Sequence, residues 1–363
     1  MNTNMIWLYA CIRNYEGKLI RYTFDPTSCV LNKKGTEDIL RDVACITIDD
    51  GVLYTSSLDS GRNNLFSSYS IQSDGTLRLI NRESAFGFDA THISVNHEKK
   101  VFIASDFLAN SLLLYNIRED GGIGRCLQIQ QFNDTGTNIG PRQDSPHPHG
   151  TIVVADGDYM VTADLGCDKL RLFDGNIPSK SLFELNLSPG AGPRHLVAHP
   201  TLDYIYVVSE ISSEVFSCYL DRNRNFLVLK QILNNLKYSE KDESIGGDIA
   251  ISPDGKWLTV SNRGENTIVV YQVDHHGLLK FHSTVKTDGW ARVLRFDSTS
   301  KFLFAALEEF LDVGAYKIPK ERCSSVGGIQ IFYLDETHQY FKDTGVREKI
   351  PQTYAFAIFE GRQ

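Results

Sequence analysis

Six stretches of this chain share one plan, and a chain that repeats itself this way is confined to a narrow set of architectures. The clearest copies are THISVNHEKKVFIASDFLANSLLLYNI from Thr91, HGTIVVADGDYMVTADLGCDKLRLF from His149 and RHLVAHPTLDYIYVVSEISSEVFSCYL from Arg194. GDIAISPDGKWLTVSNRGENTIVVYQV from Gly247 and ARVLRFDSTSKFLFAALEEFLDVGAYKI from Ala291 follow, and a looser copy starts at Ala44. Each begins with a short apolar strand, turns on Asp, Gly, Asn or Pro, and returns as a second apolar strand. A polar loop and a third strand come next. A variable, charged segment such as LLKFHSTVKT from Leu278 supplies a fourth strand by position and alternation.

The copies start roughly 45 to 58 residues apart, the period of four-stranded propeller blades. Six are visible. The two ends supply another: IWLYACIRN and GKLIRYTFD at the start, and TYAFAIFE at Thr353–Glu360. The chain therefore reads as an all-β, seven-bladed propeller of four-stranded antiparallel blades, one domain over residues 1–363. The first and last strands share a blade and close the ring, removing sheet edges that would invite aggregation. Propellers of six or eight blades are the nearest alternatives. A pair of β-sandwiches would need a linker near the middle, and the repeat runs straight through it.

Composition narrows the function. At 42% hydrophobic and 23% charged residues the chain is globular. A net charge of −8 argues against a nucleic-acid partner. Seven scattered cysteines form no C-x-x-C pair, so neither a zinc site nor a disulfide framework is expected, and a cytoplasmic setting with reduced thiols fits. No apolar run reaches membrane-spanning length, so no membrane partner is expected. The oligomeric state stays open.

In a blade, the residues just before the first strand and just after the second lie on one face, because the two strands are antiparallel. His149 with Asp164, Arg194 with Glu210, Asp248 with Arg263, and His92 with Asp106 are such pairs. All fall at one mouth of the central channel. Rim residues of this kind often do no more than bond neighbouring blades. Two arginines brought to one pore with few carboxylates nevertheless favour an anionic visitor. His275 and His276, in VDHHGLLK, read as a solvated hairpin loop.

GPRQDSPHPHG (Gly140–Gly150), ADLGCDKLRLF, GAGPRHLVAHP (Gly190–Pro200) and DIAISPDGKWLTVSNRGENTIVVY resemble the lactonase family of seven-bladed propellers. That family includes the propeller type of 6-phosphogluconolactonase and the fungal carboxy-cis,cis-muconate cyclases. The resemblance covers nearly the whole chain and is sharpest from about Gly140 to Tyr271. P-H-x-H, G-x-G-P-R-H and S-N-R-G occur in that order. It implies functional positions at His149, with His147 beside it, at Arg194, at Glu210 and at Arg263. Arg292 in WARVL is retained, while Glu308 in AALEEF stands where relatives often carry an amide.

The implied chemistry is the opening of a small anionic lactone, with no metal or cofactor. His149 is expected as the base, oriented by Glu210 or Asp164, with Arg194 facing the oxyanion. Arg263 and Arg292 would hold a phosphate or carboxylate. His147, Asp164, His92 and His195 complete the expected binding set. Cyclisation of a muconate by the same groups is the first alternative. A non-catalytic interaction propeller is the second, but Trp7, Trp257 and Trp290 lack the Asp of a WD repeat. A metal-dependent lactonase using Glu210, Asp248 and Asn262 is the third.

Overall fold

The computed structural model describes the chain except residues 1–4, 13–16, 39–40, 59–63, 87–89, 178–179, 240–242, 310–315, 317, 319–325, 338, 352 and 362–363. Cys323 lies outside the described residues. Among the described residues twenty-eight strands form seven four-stranded antiparallel sheets. The innermost strands are Arg41–Asp49, Ala90–Asn96, Pro148–Val154, Pro193–Ala198, Ile245–Ile251, Trp290–Phe296 and Thr353–Glu360. In six blades the next three strands follow in chain order. In the closing blade the C-terminal strand is innermost and the N-terminal strands Ile6–Ile12, Lys18–Asp25 and Val30–Asp38 complete the sheet.

Strand position sets the burial pattern. Second strands are covered on both faces by adjacent blades, so Val101–Asp106, Trp257–Arg263 and Phe302–Glu308 are buried at every residue. Such a strand is apolar where it packs, as in FLFAAL of the last, while the buried Thr259, Ser261, Asn262 and Arg263 of Trp257–Arg263 each have hydrogen-bond partners. Outermost strands such as Tyr340–Lys349 alternate between exposed and half-buried, with charges facing out.

The core lies between blades. Val161, Leu170 and Leu172 of the fourth blade pack with Leu196, Val207 and Phe216 of the fifth. At the closure, Phe24 of the first blade meets Phe302 and Phe304 of the seventh edge-on, with centroids 5.1 and 5.4 Å apart. Second-strand tyrosines add a recurring stitch. The hydroxyls of Tyr9, Tyr54 and Tyr206 donate to the carbonyls of Gly75, Gly121 and Gly277, in the outer hairpin of the next blade, at 2.9–3.0 Å. At Gly277 (φ +77°) a Cβ would run into the ring of Tyr204, so turn and packing together demand glycine.

The inner strands ring a channel cavity of about 540 Å³. Its wall is largely aliphatic, with His92, His195, Asp248, Arg292, Arg295 and Tyr354 among its polar residues.

Candidate active site

Expected rim residues are delivered by a device the repeat did not reveal. In the third to seventh blades the pairing of the innermost strand with its neighbour slips near its start. The residues left out of the ladder are Thr91, His149, Arg194, Gly247 with Asp248, and Arg292. A bulge frees one residue from its partner and re-aims its side chain. Three of the five functional candidates on innermost strands thus sit on bulges.

Glu210, just past the second strand of the fifth blade, is the centre on which these groups converge. Its Oε2 accepts 2.8 Å from Arg194 Nε and 3.0 Å from Arg263 Nη2, and lies 3.9 Å from His149 Nε2. Its Oε1 accepts 2.5 Å from the Tyr316 hydroxyl and pairs with Arg142. Arg194, Glu210, His149 and Arg263 are 1%, 2%, 4% and 4% exposed. Arg263 also donates to Gly246 O at 2.8 Å, while its buried Nε has no partner among the described residues.

His149 packs edge-on against the rings of Phe107 and His195. Burial, then the nearby Arg194, pushes its pKa well below the ordinary histidine value, so the imidazole is neutral at pH 7. Nε2 lies 3.9 Å from the Glu210 carboxylate, beyond direct hydrogen-bond reach, and the negative charge on that side favours the ring proton there with the lone pair on Nδ1. That buried Nδ1 has no partner among the described residues. A neutral imidazole has a lone pair to offer a proton, and the guanidiniums around it lower its basicity, so a proton taken up there is readily given back.

The remaining expectations divide. Arg292 donates to Glu308 at 3.2 Å and stacks over Tyr354, 3.5 Å from its ring centre. Its charge is felt at Arg194, Arg263 and His149. His195 lies beside Arg194: its Nδ1 is 2.7 Å from Asp248 Oδ1, and Arg194 Nη1 lies against the ring, 2.9 Å from Nδ1 and 3.0 Å from Nε2. His92 sits behind it, half-buried at the channel wall with ring centres 5.3 Å apart. Burial and Arg295 push His92 down to about 4, and its Nδ1 accepts from Thr151 N–H at 3.4 Å.

The structure gives several of the expected residues other partners. The Asp164 carboxylate does not orient His149. It accepts from Arg171 (2.8 and 3.2 Å) and from the backbone N–H of His147 and Cys167, fixing the loops on either side. His147 stacks flat on Phe107 at 4.2 Å, bonds Phe107 O through Nδ1 at 2.8 Å, and pairs with Asp144 through Nε2. It builds the wall behind His149. The pairing of Asp248 with Arg263 also changes. Arg263 stands opposite Ile245, and the bulge turns Asp248 toward His195. Asn262, the third residue of the metal alternative, bonds Asn235 and Thr267 instead.

Arg142 and Tyr316 were not singled out from sequence. Arg142 lies within the Gly140–Gly150 motif but on a loop, and Tyr316 lies beyond the second strand of the seventh blade. Only their meeting over Glu210 marks them: Arg142 donates to the Tyr316 hydroxyl at 2.9 Å, and its guanidinium lies 5.2 Å from the Phe107 ring centre.

The fold is thus a seven-bladed propeller whose mouth gathers arginines around one glutamate and a neutral histidine. The family profile described as "Lactonase, 7-bladed beta-propeller" matches residues 8–324, and the chain belongs to that family of lactone-hydrolysing enzymes. It is 28% identical over 311 residues to the 6-phosphogluconolactonase of Bacillus subtilis (strain 168), covering 84% of each chain. It is 33% identical over 243 residues to the 6-phosphogluconolactonase of Formosa agariphila, covering 64% of this chain and 67% of that one. Among solved structures, a periplasmic gluconolactonase of Pseudomonas aeruginosa superposes with a TM-score of 0.83 at 20% identity, over 98% of this chain and 99% of that one. Among the described residues no helix is long and apolar enough to cross a membrane.

Proposed function

We propose that the chain acts as one propeller domain in the cytosol and hydrolyses 6-phosphoglucono-δ-lactone. The observation that carries this reading is the unpartnered Nδ1 of His149 set among four arginines. Arg142, Arg194, Arg263 and Arg292 face two carboxylates, Glu210 and Glu308. Asp248 is matched by Arg295. Among the described residues two positive charges are left over, in a protein whose net charge is −8. A phosphate dianion balances them, and a neutral sugar lactone does not. The six described cysteines are all thiols, in keeping with a reducing compartment.

In this reading water attacks the lactone carbonyl while His149 Nδ1 takes its proton. Arg194 faces the oxygen that becomes anionic. As the tetrahedral intermediate collapses, the bond from the carbonyl carbon to the ring oxygen breaks. His149 returns the proton to that oxygen, leaving a hydroxyl and a carboxylic acid that ionises. Arg263 and Arg292, with Arg142 at the mouth, hold the phosphate. One placed base contributes about 10²–10⁴-fold. That is enough for an ester already activated by ring strain.

The test is to follow acid release from 6-phosphoglucono-δ-lactone, glucono-δ-lactone and a carboxymuconate, with and without a chelator. Preferential turnover of the phosphorylated lactone, unchanged by chelation, is expected. Failure to turn over that substrate overturns the proposal.

A further inference from the structure

Between the outermost strand of the third blade, Ile123–Gln131, and the innermost strand of the fourth runs a connection, residues 132–147, without a strand. Connections longer than about 12–15 residues with no structure of their own are uncommon, and usually serve binding or catalysis. This one carries Arg142, which is half-buried at the mouth, pairs with Glu210 and donates to the Tyr316 hydroxyl at 2.9 Å. Its anchor is the buried Gln143. Gln143 Nε2 donates to Leu165 O at 2.8 Å and to Asp168 Oδ1 at 2.7 Å, and its Oε1 accepts from Gly140 N–H at 2.8 Å. Two acceptors on one side and a donor on the other fix the orientation of the amide. The Gln143 carbonyl accepts from Asn138 N–H at 2.8 Å and closes the turn that holds Arg142.

Asp168 stands in the turn between the second and third strands of the fourth blade, Tyr159–Asp164 and Lys169–Asp174, and is 3% exposed. Besides Gln143, its Oδ1 accepts from Gly192 N–H at 2.7 Å. Its Oδ2 accepts from Gly190 N–H at 2.7 Å and from the Thr137 hydroxyl at 3.2 Å. Among the described residues no cation pairs with it. A buried carboxylate without a counter-ion is costly unless donors surround it, and here four do. Thr137 and Gln143 come from the Arg142 loop, Gly190 and Gly192 from the loop that leads into Arg194. Gly192 O in turn accepts from Glu210 N–H at 2.8 Å. One oxygen, Asp168 Oδ1, therefore stands between the backbone of Glu210 and the turn that carries Arg142.

We propose that Asp168, through Gln143, is a positioning residue that sets Arg142 over Glu210 and so fixes the affinity for the substrate's phosphate. Asp168 itself touches no substrate. The kinetic consequence rests on the functional reading above; the tie between the two loops does not.

Two substitutions cut the tie from opposite sides. Asp168→Asn keeps the shape and suits the backbone, since φ is +53° here and asparagine tolerates that region. It turns an amide N–H₂ on donors that need an acceptor. Gln143→Met removes the bridge from the other loop and leaves Asp168 its remaining donors; where Asp168→Asn fails to fold, Gln143→Met carries the same test. A charge-assisted contact to phosphate is worth about 10–100-fold in affinity, so Arg142→Gln should raise KM for 6-phosphoglucono-δ-lactone by about that much. Asp168→Asn and Gln143→Met are expected to raise it at least about fivefold, with kcat within about twofold of wild type. Turnover of glucono-δ-lactone, which has no phosphate, is expected to stay unchanged. Adding Arg142→Gln to Asp168→Asn is expected to cost no more than Arg142→Gln alone, because both act on one contact. A fold merely loosened would lower the melting temperature and the active fraction without telling the two lactones apart. Hydrogen exchange of amides 136–147 should run about tenfold faster in both variants than in wild type. Unchanged KM in both variants, equal losses on the two lactones, additive losses in the double variant, or unchanged exchange each overturns the proposal. A wild-type protein inert toward the phosphorylated lactone refutes the functional reading instead, and the exchange of residues 136–147 then decides whether Asp168 holds the loop.

Discussion

Replacing Glu210 with glutamine keeps the shape of the side chain and removes the charge that Arg194 and Arg263 share. Both guanidiniums are almost wholly buried, at 1% and 4% exposure, and both end on Oε2. Removing one partner from a buried ionic cluster costs about 3–5 kcal/mol, because the remaining charges stay desolvated without compensation. The entropy of unfolding is about 2.1 cal/mol/K per residue, or roughly 0.76 kcal/mol/K for a chain of 363 residues. The Glu210→Gln protein should therefore melt about 4–7 °C below the wild type in a buffer free of small anions. Inorganic phosphate can take the vacated role. At about one hundred times its dissociation constant it returns about 2.7 kcal/mol, or roughly 3.5 °C. Paired melts at one scan rate, in phosphate and in a zwitterionic buffer of equal ionic strength, make the measurement. If Glu210→Gln melts with the wild type, or phosphate raises both proteins equally, the glutamate is not the counter-charge of the arginines.

His149→Gln is expected to lower kcat by about 10²–10⁴-fold while leaving the melting temperature within about 2 °C, read by steady-state kinetics beside a melt. Glu308→Gln frees Arg292 from its 3.2 Å partner, and KM should fall a few-fold for the phosphorylated lactone while glucono-δ-lactone is unaffected. Acid should weaken the fold from about pH 6.5 downward. His92, His149 and His195 all have lowered pKa values, burial being the largest cause of each. The unfolded chain therefore takes up protons first, and stability that is complete above about pH 6.5 is lost as pH falls toward the folded values. The slope is at most about 1.4 kcal/mol per pH unit for each group, with half-buried His92 contributing least. Melts from pH 8 to pH 5 check this, and a profile unchanged by His149→Gln would refute that residue's share.

The repeat and its alternation were enough to fix the architecture. Each hairpin is a local event, so turn residues and period-two patterning declare strands, turns and strand order without reference to distant parts of the chain. Antiparallel pairing then placed His149, Arg194, Glu210 and Arg263 at one end of the ring, and motif order pointed to the same four. Partnership between blades was not legible in that way. Asp164 looked like a companion of His149 and is the counter-ion of Arg171. Asp248 looked like a companion of Arg263 and holds His195. Arg142 stood inside a motif without being singled out, and Tyr316 gave no signal; only their meeting over Glu210 marks them. Register along one sheet is set by neighbours in sequence. The aim of a side chain into the mouth depends on a one-residue bulge and on blades far apart in the chain, and for these only the closed ring decides which charge meets which.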